Sequence, residues 1–165
     1  MKKSALFIPF ILMTTACGSF TPTEGTWTMS PIETVEDTCN FSFEEEVEAT
    51  ESNFKLTLSE EGFSILGDTE GSQVVSCILD EDSDEGDEGQ KFTCTNLSFS
   101  LADEETFSIT ATTSYDGFFA SSTELTLNNK SDIVCEGEDC PTVEQQVGVS
   151  FPCSISATAT ATFSE

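Results

Sequence analysis

The chain contains no histidine and no arginine, and its five cations are all lysines set against 31 acidic residues. Without imidazole there is no Ser-His or Cys-His catalytic pair, no His-ligated zinc and no switch titrating near neutrality. Without guanidinium there is no bidentate clamp for phosphate. A formal charge of −26 repels nucleic acid and anionic lipid instead of steering toward them. Long hydrophobic runs are missing as well. The apolar stretch Ser4–Met13 is about half of the roughly 20 residues a spanning helix needs. No segment shows apolar residues at helical spacing of three and four, which predicts a chain without helices. What remains is 165 residues, a length that suits one domain.

Lys2 and Lys3 precede that apolar stretch, which runs into the small residues Thr14-Thr15-Ala16 and then Cys17. A basic start, a short apolar middle and small residues before a cut are the plan of a secretory signal peptide. The junction at Thr15-Ala16-Cys17 resembles bacterial lipoprotein precursors, whose signal ends in a box of small residues before a lipidated cysteine. The resemblance implies cleavage after Ala16, a diacylglycerol and acyl group on Cys17, and a membrane reached through that anchor. Gly18, where an Asp commonly marks inner-membrane retention in that family, implies the outer membrane. On this reading residues 1–16 are the signal, 17–24 a lipidated tether and 25–165 the folded domain.

Setting Cys17 aside leaves six cysteines, an even number that suits three disulfides in an oxidising compartment. Six cysteines allow 15 pairings. Sequence geometry favours Cys77 with Cys94, flanking loop 80–90 on adjacent strands, and Cys135 with Cys140 in a local loop. Cys39 with Cys153 would then tie an early strand to the last.

Period-two alternation runs through Phe41–Phe43, Phe54–Leu58, Leu97–Leu101, Phe107–Thr110, Leu125–Leu127, Val147–Phe151 and the long final run Cys153–Phe163. Apolar residues one way and Ser or Thr the other make half-buried antiparallel strands. Glu60-Glu61-Gly62, Gly67–Gly71, Asp116-Gly117 and Asn128-Asn129 read as the turns between them. A phase shift between Cys94 and Leu97 predicts a bulge near Thr95-Asn96. The expectation is an all-β, disulfide-braced meander of eight or nine strands, closed into a barrel or folded as a β-sandwich.

Gly25-Thr26-Trp27 opens the first strand and carries the only tryptophan. That Gly-x-Trp resembles the start of lipocalins, and Tyr115-Asp116 loosely resembles their second motif. The resemblance implies an eight-stranded barrel holding an apolar ligand, with Trp27 plugging its closed end.

Loop 80–89 holds seven carboxylates and no cation. Asp80, Asp82 and Asp84 match the first ligand positions of a calcium loop and Asp87 adds a fourth oxygen donor, which makes weak Ca2+ binding a candidate. Glu85 stands where that loop requires Gly, and Lys91 where it requires Glu, so a solvated hairpin loop is the plainer reading. No nucleophile motif or unique carboxylate pair points to catalysis. Two functions follow as expectations. One is a non-catalytic binding module of the cell envelope, for an apolar small ligand or a partner protein. The other is an acidic surface coat with loose divalent-cation binding.

Overall fold

The computed structural model describes residues 21–40, 50–69, 71–80, 89–103 and 106–165. Chain order is β1 (Gly25–Met29), β2 (Glu33–Asp37), β3 (Ser52–Leu58), β4 (Gly62–Gly67), β5 (Val74–Leu79), β6 (Gln90–Cys94), β7 (Leu97–Asp103), β8 (Phe107–Ser121), β9 (Glu124–Glu136), α1 (Cys140–Val147) and β10 (Cys153–Phe163). Every strand pair is antiparallel, and the neighbours run β1-β3-β4-β5-β6-β8-β9-β10. β10 then returns to β1, with Trp27 opposite Phe163 and Met29 opposite Ala161, and so closes an eight-stranded barrel. Of the two architectures left open by alternation, the structure is the barrel.

β2 and β7 are continuations of barrel strands. From Thr93, opposite Asp116, to Leu97, opposite Thr113, the β6–β7 side advances four residues against three on β8. The extra residue is the bulge that the phase shift at Thr95-Asn96 predicts. There the Thr95 N–H donates sideways to the Ser76 carbonyl at 2.8 Å. Between β1 and β2, Ser30 plays a similar part: its N–H donates to Thr160 O, and its hydroxyl accepts the Thr160 N–H at 3.1 Å.

Strand length decides the rest. β3, β4 and β5 have 6 or 7 residues, while β8, β9 and β10 have 15, 13 and 11. The long strands therefore outrun the short ones, and their far halves, flanked by β7 and β2, form an open extension ordered β7-β8-β9-β10-β2.

The barrel is filled by aromatic rings at the end where β1 begins. Trp27 stacks on Phe54 with centroids 6.2 Å apart and takes the edges of Phe119 and Phe163 at 6.0 and 6.1 Å. Phe63, Phe92 and Phe119 pack mutually at 5.1–5.2 Å, distances at which ring quadrupoles attract. Gly117 makes the crossing possible, because a Cβ there would sit 2.1 Å from Thr126 O and 2.8 Å from the Phe92 ring. Ala161 gives β10 a thin inner face in that cluster, and Ala159 and Ala157 continue this thin face toward the extension. In the extension a smaller core gathers Cys39, Val149 and Cys153 with Ile133, Phe151 and Ile155. Disulfides join Cys39 to Cys153, Cys77 to Cys94 and Cys135 to Cys140.

Three expectations are corrected. Asp116-Gly117 and Asn128-Asn129 are not turns. They lie within β8 and β9 facing one another, Asp116 opposite Asn128, whose amide donates to the Asp116 carboxylate at 3.2 Å. The turn falls instead at Ser122-Thr123, and the turn-forming residue types are used for a cross-strand hydrogen bond and for ring space. The chain also contains a helix. α1 has no buried residue and hence no apolar stripe to betray it. Its signals are local: Asp139 at the N-cap, Pro141 in the first turn, Gly148 left-handed at the C-cap, and a disulfide at its first residue. Finally, Val147–Phe151 is not a strand. It is the helix end and the loop after it, where Val149 and Phe151 turn onto the extension core and the Phe151 N–H donates to the Glu144 carboxylate at 2.7 Å. The expected strand at Phe41–Phe43 lies outside the described residues.

Candidate functional site

The two ends of the barrel differ because of how the meander is cut. At one end, where β1 begins, the Trp27 indole N–H donates to Thr23 O at 3.0 Å. Thr23 is itself held by its N–H to Ser122 O at 2.9 Å, so the segment before β1 is tied across this end. Trp27 is fully buried and its polar atom is satisfied.

At the other end β3, β4 and β5 stop while their neighbours continue, and the aromatic packing stops with them. A cavity of about 320 Å³ opens there. Its floor is apolar, made by Met29, Phe54, Val75, Leu97 and Leu127 with the Cys77-linked Cys94. Its rim is polar but carries no cation: Asn53, Asp68, Thr69, Ser72 and Gln73 from the start of β3 and the β4–β5 turn. A second hollow of about 180 Å³ shares Met29, Tyr115 and Leu127 and continues onto the inner face of the extension past Ile32, Ala157 and Ala159.

Tyr115, the only tyrosine, stands where the two hollows meet. Burial raises its phenol pKa above the ordinary value of 10.0, which keeps the hydroxyl neutral and able to donate. No described residue hydrogen-bonds that hydroxyl. A phenol in an apolar hollow with no partner among the described residues is equipped to bond a guest. The motif resemblance had touched Tyr115-Asp116 but assigned them no role. The usable signal was a lone Tyr in the inward phase of a strand, opposite Asn129 and two residues before Gly117.

Asp80 follows β5 and lies in a shallow hollow with Lys91, Asp116 and Asn128, none of which lines the cavity. Asp82, Asp84 and Asp87 lie outside the described residues, as does Cys17. Among the described residues no group of three or more His, Cys, Asp or Glu is placed to hold a metal ion, and no helix is long and apolar enough to cross a membrane. No protein-family model, curated protein or solved structure matches this chain.

Proposed function

We propose that the chain is a non-catalytic binding module of a bacterial cell envelope, anchored to the outer membrane through lipid on Cys17, whose barrel mouth takes up a small neutral apolar ligand. The observation that carries this reading is the apolar cavity of about 320 Å³ opposite a plugged end. Ligand sites have volumes of about 300–1,000 Å³, apolar walls and few polar groups, and this one has a single inward phenol. Its size suits one chain or ring system, not a whole phospholipid. The electrostatics narrow the chemistry further. A carboxylate head would meet Asp68 and no lining cation, in a chain of formal charge −26. An alcohol, ester or amide oxygen accepting from Tyr115 meets no such cost. The anchor rests on the Lys2-Lys3 signal pattern and the Thr15-Ala16-Cys17 box.

The test of the ligand class uses two fluorescent probes of similar size, neutral N-phenylnaphthylamine and anionic anilinonaphthalene sulfonate. The neutral probe binds saturably at one per chain, the anion binds at least about tenfold more weakly, and Val75→Trp, which fills the cavity floor, abolishes the first. A probe that binds Val75→Trp equally well would sink the reading and leave the coat role, which expects a filled core and non-stoichiometric cation uptake. The anchor is tested by the intact mass of the chain expressed with its own signal. A diacylglycerol and acyl increment on a chain starting at Cys17 supports it, and an unmodified thiol there overturns it.

A further inference from the structure

The extension ends in two edges that are chemically unlike. β2 presents Glu33, Glu36 and Asp37 and has a register shift against β10 at Ser156/Ala157, both of which are devices that discourage strand addition. β7 has neither. From Leu97 to Ala102 it reads Leu-Ser-Phe-Ser-Leu-Ala without a charge, a proline or a glycine. It pairs with β8 residue for residue from Leu97–Thr113 to Asp103–Phe107, and among the described residues it has no strand on its other side. Phe99 and Leu101 remain 64% and 56% exposed. Ser98 and Ser100 on the opposite face are hydroxyl-bonded to Thr112 and Thr110 at 3.2 and 3.0 Å, so the strand is braced from within its own sheet. An uncharged, regular, apolar edge is a template for another strand.

We propose that β7 pairs with β7 of a second copy, antiparallel about a two-fold axis at Ser100. Charge selects this occupant and this orientation. Most of the surface repels its own kind, and 97–102 is a stretch where two copies meet without opposing carboxylates. Asp103, the acid that closes the strand, falls at opposite ends of an antiparallel pair, about 20 Å apart at 3.4 Å per residue, well beyond the Debye length of about 8 Å. A parallel pair would place the two copies of it side by side. Only the register centred on Ser100 pairs all of Leu97–Asp103. It sets Phe99 against Leu101 of the second copy, making one apolar strip across both sheets on the face shared with Ala111 and Ile133. A contact of one strand edge buries less than the roughly 1,200–2,000 Å² of stable complexes, so the dimer is weak and concentration-dependent.

Sedimentation of the disulfide-intact chain carrying Cys17→Ser, over a wide concentration range, gives a reversible monomer–dimer equilibrium. Raising salt strengthens it, since screening relieves the repulsion between two acidic bodies. Phe99→Lys with Leu101→Lys weakens it by at least about tenfold. Ser100→Cys cross-links to a covalent dimer under mild oxidation. Ser98→Cys does so far more slowly, because two residues 98 stand about 14 Å apart in this register, beyond the reach of roughly 7 Å for a disulfide. A chain that stays monomeric at all concentrations overturns the proposal. So does a dimer that survives the double lysine change, one that salt dissolves, or equal cross-linking at 98 and 100.

Discussion

The same three strands, β8, β9 and β10, pass through two unlike environments. In the barrel their inward residues Phe119, Leu125 and Ala161 are 0–2% exposed, under rings contributed from the far wall. Eight residues along those strands, in the extension, Ala111, Ile133 and Cys153 continue a row that begins at Phe99 of β7 and runs from a largely exposed Phe to a buried Cys. Alternation is equally regular in both halves. What differs is whether the sheet meets itself. Closure supplies every inward side chain with partners across the lumen and leaves no edge, whereas an open sheet buries only what something else covers. The extension answers with covalent bonds: Cys39–Cys153 and Cys135–Cys140 both lie in it, and they fix the segments that cover its β9–β10 side.

This comparison can be broken most sharply at Trp27. Trp27→Ala removes the plug that three other rings pack against and should cost about 3–5 kcal/mol, read as a large fall in denaturation midpoint. Equal loss from Ile133→Ala, in the half-covered extension, would erase the distinction between the two regions. Replacing both Cys39 and Cys153 by Ala should come next, at about 2–4 kcal/mol. Hydrogen exchange should show amides of β2 and the first half of β10 losing protection while β3–β6 keep theirs. Uniform loss would make the two regions one cooperative unit. The smallest effect belongs to the junction between them. Because burial raises the Tyr115 pKa, the neutral phenol favours the folded state. That contribution is complete below the unfolded value of about 10 and is lost as pH rises through the higher folded value. The sole tyrosine makes absorbance of the phenolate a direct readout, and Tyr115→Phe should abolish this alkaline step while weakening a neutral ligand about three- to tenfold.

Much of the architecture is legible in the order of residues. Ser and Thr alternating with Phe, Leu and Ile mark strands because the pleat itself has period two. The shift between Cys94 and Leu97 marks a bulge because an extra residue must change phase, and the structure has it there. The same logic misled at Val147–Phe151, since any extended segment lying on an apolar face shows that period with or without a ladder. Asp116-Gly117 and Asn128-Asn129 misled for a different reason. Turn-forming residue types announce backbone freedom, but Gly117 is there to clear a path for Phe92 across the barrel, which only the opposite wall explains. α1 escaped because a helix with no buried side needs no apolar stripe.

By itself the sequence determined the all-β character, the absence of imidazole and guanidinium chemistry, the acidic exterior and the disulfide count, since composition and side-chain period are properties of neighbouring residues. Tertiary structure alone decided that the sheet closes through Trp27 and Phe163, that β3–β5 stop short to leave a mouth, and that Tyr115 stands in it. It also decided that β7, among the described residues, pairs on one side only. Each of these depends on which distant strands become neighbours and how far each one reaches, and local alternation, identical in the closed and open halves, carries neither quantity.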